Sequence, residues 1–242
     1  MNDQPTFDAE YVEKRSRLST FFRFILIIPH LIVVSVWGFI AFFAVVLAWF
    51  AIVFTGRYPE GLYSFVSGLN RYATAMYGYF YLLTDEYPPF GPDTANYPVR
   101  LGLSPEPKPE YDRIKTLLRI FLLIPPYIIS YAMSIVAQVG AFLSWIVIVV
   151  TGKQPKGLQD MIVLGLSYQQ RVMPYYCLLT ETWPSFTTPE GGSLDGPPNA
   201  SGLPPAPATA PAPAAPEAPG GSVAPPPPPR DGGVTGGDPL NG

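Results

Sequence analysis

Two uninterrupted apolar blocks dominate the chain. Leu31 to Phe54 and Tyr127 to Val150 each run for 24 residues without a formal charge, enough at about 1.5 Å per residue to cross a hydrocarbon core about 30 Å thick. Helix is the expected conformation, because a chain in lipid must satisfy its backbone groups internally. A shorter stretch of apolar residues punctuated by arginines precedes each block, Arg17 to Ile28 and Arg113 to Ile124. Arg17 and Arg23, like Arg113 and Arg119, stand at i and i+6. That pattern predicts a short basic interfacial helix, or the snorkelling first turns of a span. Pro29 and the pair Pro125-Pro126 then predict a kink or a fresh helix start.

Both blocks end in the same turn: Thr55-Gly56-Arg57-Tyr58-Pro59-Glu60-Gly61 and Thr151-Gly152-Lys153-Gln154-Pro155-Lys156-Gly157. Glycine just past the last apolar residue signals a helix C-cap, and proline soon after prevents continuation. The same letters, used less commonly, cradle an anion with backbone N–H groups. A third segment follows in each case, Leu62 to Thr84 and Leu158 to Thr180. It is about 23 residues long, mostly apolar and rich in tyrosine, but it carries Asn70 and Arg71, or Asp160, Gln169, Gln170 and Arg171. Spanning and lying in the interface both fit it. Each segment closes on Leu-Leu-Thr, an acid, and an aromatic-Pro-x-Phe ending, at Leu82 to Phe90 and Leu178 to Phe186.

These parallels are one pattern written twice. Residues 17–90 realign on 113–186 without a gap at a constant offset of 96, as in Arg17 to Arg113, Trp49 to Trp145 and Gly56 to Gly152. Roughly a third of the aligned positions are identical, and a repeat of this kind decides the architecture before any residue chemistry. The expected organisation is a polar N-terminal segment (1–16), membrane repeat 1 (17–90), a Pro-rich linker (91–112), membrane repeat 2 (113–186) and a tail (187–242). The tail holds about half of the 31 prolines, with little to bury, and is expected to be disordered. The fold class expected is therefore all-α and integral to the membrane: tandem helical hairpins with about four transmembrane helices.

Composition narrows function mainly by exclusion. The chain is 48% hydrophobic and 14% charged with a net charge of −3, which offers no basic surface for nucleic acid. One cysteine, Cys177, and one histidine, His30, leave little for disulfides, metal ligation or triads, so no cofactor and no metal are expected. The first apolar block is too long for a signal peptide and recurs where no signal could sit.

Topology turns on the third segments. If they span, the hairpins run parallel; if they lie in the interface, the two copies are inverted. Basic residues precede both blocks (Lys14, Arg15, Arg17, Arg23; Lys108, Arg113, Lys115, Arg119), which favours parallel hairpins with cytoplasmic termini. The residues most unusual for their setting are Arg71 and Arg171, one helical turn apart when the copies are aligned. They are either snorkelling cations or bundle-interior contacts for an anion or a lipid. Asp85, Glu86 and Glu181 are expected as solvated carboxylates at helix ends. No nucleophile has a recognisable base partner. The function expected is non-enzymatic: a membrane scaffold or accessory subunit with the bilayer, a membrane-protein partner or a second copy as partners, and a tail available to a soluble partner. The alternative is a small channel, transporter or lipid-binding protein using Arg71 and Arg171.

The residues Ile28-Pro29-His30, Trp49 to Leu62 and Leu83 to Phe90 resemble the DUF4389 family. Both copies carry the resemblance, the second with Gln154 for Tyr58, Pro126 for His30 and Glu181-Thr182 for Asp85-Glu86. It implies a bacterial, largely actinobacterial, multi-pass plasma-membrane protein. It implies no activity.

Overall fold

The fold is described from a computed structural model for residues 4–184; the last two residues expected in repeat 2 and the tail expected at 187–242 lie outside the described residues. Strand β1 (Thr6–Ala9) comes first. Helix α1 (Arg17–Leu26) starts at Ser16, whose side-chain oxygen accepts the Ser19 N–H. It passes through Ile27 into α2 (Ile28–Thr55) with hydrogen bonding maintained, Ile27 N–H to Arg23 O and Leu31 N–H to Ile27 O. Helix α3 (Glu60–Phe80) follows, then strand β2 (Val99–Gly102). The second copy repeats the scheme with α4 (Arg113–Leu117), α5 (Arg119–Leu122), α6 (Ile124–Thr151) and α7 (Lys156–Tyr176). Pro29 and Pro125 lie in the first turns of α2 and α6, where a missing N–H removes no helical bond. Helix restarts thus fall where the prolines predict, but α1 is a hydrogen-bonded extension of α2 and not a detached interfacial piece.

Each copy is an antiparallel hairpin. The inward stripe of α2 is His30, Ala41, Ala44, Ala48 and Ile52; that of α6 is Pro126, Ala137, Gly140, Ser144 and Ile148. The positions match one for one at the repeat offset. Small side chains at three- and four-residue spacing let α3 and α7 approach closely. A Cβ placed on Gly165 of α7, for instance, would meet the Met133 carbonyl at 2.5 Å.

The two hairpins are inverted with respect to each other. The end of α3 lies beside the turn after α6, because Arg15 reaches both Leu83 O and Gln154 Oε1. The start of α3 lies beside the end of α7, where Tyr58 donates to Cys177 O. Helices α3 and α7 therefore run antiparallel. At their crossing Thr74 donates to Gln170 Oε1 at 2.7 Å, a contact between equivalent positions, as expected at a twofold axis. Each long helix is antiparallel to its own partner, so α2 and α6 also run in opposite directions. The parallel arrangement expected from the basic residues is not the one observed. Charge counting could not register what several cross-copy hydrogen bonds fix.

The all-α expectation also needs correction. Strand β1 pairs antiparallel with β2, Thr6 opposite Gly102 and Ala9 opposite Val99, so the N-terminal segment and the linker form a ribbon. Val99 packs so tightly on Gly78 that an added Cβ would sit 2.6 Å from it, and further on Tyr63 of α3 donates to Ser104 O. Among the described residues two helices are long and apolar enough to cross a membrane, Arg17–Thr55 and Arg119–Thr151. Helices α3 and α7, expected as further spans or interfacial helices, are not among these two and form a buried inner layer between the long helices and the ribbon.

Candidate functional site

The copies are joined by contacts made twice. Trp49 Nε1–H donates to Thr116 O at 3.0 Å, and Trp145 Nε1–H donates to Thr20 O at 3.2 Å. Tyr111 N–H donates to Gly56 O, and Arg15 N–H donates to Gly152 O. Each copy's leading segment thus docks on the long helix and turn of the other copy. Gly56 and Gly152 have φ of 73° and 74°, the left-handed C-cap conformation that suits glycine. Their open side is where Arg113 and Arg17 lie, 3.3 and 3.0 Å from an imagined Cβ.

The remaining turn residues act locally. Thr55 Oγ1–H donates to Ala51 O and accepts from Arg57 N–H; Thr151 does the same with Val147 and Lys153. Pro59 and Pro155 stand at the N-caps of α3 and α7, and Gly61 and Gly157 face open space. The motif is a helix stop whose glycines are also docking points.

A second repeated device pins the end of each hairpin. Arg23 lies over the Tyr79 ring at 4.3 Å, donates to Tyr79 O and pairs with Asp85 at 2.6 Å. Arg119 lies over the Tyr175 ring at 3.6 Å and donates to the carbonyls of Tyr175 and Thr180. Both guanidiniums are buried, so the snorkelling expected of them does not occur. The carboxylates are engaged as well: Ser16 N–H donates to Asp85 and Asp112 N–H to Glu181, each at 2.7 Å. Asp112 itself caps α4, and the N–H groups of Lys115 and Ile114 hold its carboxyl below the usual range.

Elsewhere the copies differ. Arg15 is buried among Gln154, Gln159 and the Leu83 carbonyl, and burial lowers its pKa while Asp85 works in the other direction. The equivalent corner holds Tyr111, Tyr58 and Tyr63, with ring centroids 5.4–6.0 Å apart across two pairs. His30 is buried with Nδ1 2.6 Å from the Tyr72 hydroxyl and its ring stacked on Phe90; in the second copy Pro126 and Tyr168 take these places.

Arg71 and Arg171 are not brought into one site. Arg71 Nη2 is 3.4 Å from Leu103 O, in the linker. Arg171 is buried and donates to Ser167 O and Ser167 Oγ of its own helix. The residues that organise the molecule are instead Arg23, Arg119, Trp49 and Trp145. Their recurrence at the repeat offset was visible in the sequence, but which copy each one serves was not.

An internally duplicated pair of inverted helical hairpins with exchanged leading segments and a largely bare apolar exterior is the class of protein these contacts define. The chain belongs to the DUF4389 family. The family model, described as a domain of unknown function, matches residues 17–91 and again residues 113–188. No curated protein and no solved structure matches the chain.

Proposed function

We propose that this chain is a membrane-embedded, non-enzymatic scaffold or accessory protein. The observation that carries the reading is the exterior of the two long helices. Large apolar side chains project from nearly every outward position, including Phe39, Phe42, Phe50 and Phe54 on α2 and Phe142, Leu143, Ile146 and Val150 on α6. A surface of this extent is far beyond the patch a soluble monomer tolerates and suits lipid. The ribbon and linker lie on α3 and α7, which keeps open backbone away from the lipid-facing side. Asp85 and Glu181, the carboxylates nearest to catalytic candidates, are occupied in holding backbone N–H groups, which supports a non-enzymatic role.

The inverted repeat favours a second reading, a transporter, since alternating access is often built on that symmetry. It ranks lower because Thr74 and Gln170 close the axis directly and Arg71 and Arg171 face different surroundings. The test has two parts. Carbonate washing of membranes should leave the chain in the pellet. In a Cys177→Ser background, cysteines at Glu60 and Gly157 should then label from opposite faces if the long helices cross. Release by carbonate would sink the proposal; ion or lipid flux lost in Arg71→Gln and Arg171→Gln would promote the transporter.

A further inference from the structure

A cavity of about 340 Å³ lies between α1 and α6, within the range of small-molecule sites. Phe24 and Phe80 line it on one side and Phe142 and Trp145 on the other, with Arg23 and Gln138 as polar members. Phe24 and Phe142 are themselves exposed, so the cavity is continuous with the bare apolar exterior. Its polar groups are nearly all committed. Gln138 bonds the Tyr81 side chain, and the two terminal nitrogens of Arg23 hold Tyr79 O and Asp85. The Arg23 Nε–H is the exception, buried without an acceptor. A buried donor left unpaired is costly, and because Arg23 lines the cavity, a small shift of its side chain would bring that donor to an acceptor held there.

The equivalent seam differs in where its bulk lies. At the repeat offset Gln138 corresponds to Phe42 and Ala141 to Val45, so the α6 wall is opened at these two positions, while Phe24, Tyr81 and Phe142 stand for Ile120, Cys177 and Val46 and give the cavity its large apolar rim. Since Asp85 already balances the charge of Arg23, a neutral acceptor fits better than an anion. We infer that this cavity binds one acyl chain of a membrane phospholipid, with the ester carbonyl directed to Arg23. The inference rests on the membrane-embedded reading.

The test uses the full chain in membranes loaded with a phosphatidylcholine bearing a diazirine in its acyl chain, or with the same diazirine chain as a free fatty acid. After photolysis, phospholipid adducts on the Gln138–Trp145 stretch should exceed those on the exposed Phe39–Phe43 stretch severalfold. The excess should vanish in Ala141→Leu, which leaves Gln138 and Tyr81 in place, and in the double variant Gln138→Phe/Ala141→Val, which copies the other seam. Undiminished labelling of either carbonate-resistant variant overturns the site while leaving the membrane reading intact. Labelling by the free acid alone overturns the ester assignment. A chain that carbonate releases overturns both.

Discussion

Asp85→Ala is the most informative single change, because the structure predicts an imbalance between the two members of one ion pair. The Arg23 side chain is 3% exposed and that of Asp85 is 27% exposed. Removing Asp85 strands a buried cation, a loss of about 3–5 kcal/mol for a broken buried pair. Removing Arg23 as Arg23→Met leaves a carboxylate that still accepts the Ser16 N–H and reaches water. It also removes the desolvation burden of the guanidinium and keeps a long apolar side chain over Tyr79, so a loss of about 1–2 kcal/mol is expected, chiefly the cation–π contact. The double variant should fall below Arg23→Met only by the Ser16 N–H contact and the support Asp85 gives to buried Arg15, well short of the sum of the two single losses. Equilibrium unfolding in mixed micelles, followed by tryptophan fluorescence, measures all three. At roughly 2–4 °C per kcal/mol for a chain of this size, Asp85→Ala should lower the midpoint by about 10 °C. Glu181→Ala is the internal control: Glu181 pairs with Lys108 at 3.5 Å, while Arg119 rests on carbonyls, so its loss should be smaller. Equal losses for Arg23→Met and Asp85→Ala, or simple additivity in the double variant, would refute the reasoning.

Three further outcomes are expected. Leu82 is buried with φ of 65°, a conformation that disfavours side chains by about 1–2 kcal/mol; Leu82→Gly should therefore unfold later than Leu82→Ala, and the usual opposite order would count against the strain. Trp49→Phe and Trp145→Phe should each cost about 1 kcal/mol and combine additively, one cross-copy hydrogen bond apiece; a null effect in both would mean that the indole N–H groups do not join the copies. Burial pushes the Cys177 thiol up, against a hydrogen bond with Asn70 that lowers it. A raised pKa means less thiolate at any given pH, so maleimide should react slowly with the folded chain even near pH 8.5, the ordinary cysteine value, and quickly once it is unfolded; fast labelling of the folded chain would contradict this.

Much of the architecture was legible in the residues. The offset of 96 located both copies, the Thr-Gly and Pro pairs located the turns, and the prolines located the helix starts, because each of these is local chemistry repeated. The spacing of Ala41, Ala44 and Ala48 also carried the packing stripe, though hidden within a block where every residue is apolar. What the sequence left dark is non-local. Nothing in Arg17 or Trp145 says that each serves the opposite copy, and nothing in Arg23 separates a snorkelling arginine from a buried one until Tyr79 and Asp85 are beside it. The ribbon is not legible in the residues because Thr6 to Ala9 and Val99 to Gly102 are short and far apart in the chain, and neither carries a strand signal without the other. Arg71 and Arg171 stand out in the sequence as charges within apolar segments, but in the inner layer formed by α3 and α7 they have carbonyls and a hydroxyl at hand.

The exchange of leading segments bears on how such a chain could have arisen. A single copy carries both halves of each cross-copy contact that is made twice, the donor Trp and the acceptor helix, the αL glycine and the arginine beside it. It cannot bring them together within itself. Two identical single-copy chains facing opposite ways could do so, each lending its leading segment to its sibling. Under the membrane reading proposed above, an ancestor of this kind is a homodimer of oppositely facing copies, and gene fusion fixes one of each. Residues 1–98 and 99–186 expressed as separate chains should therefore co-purify, and failure to do so would count against this descent. Once fused, the two sides no longer had to remain the same, which is how one corner could keep Arg15 with its glutamines while its counterpart filled with tyrosine.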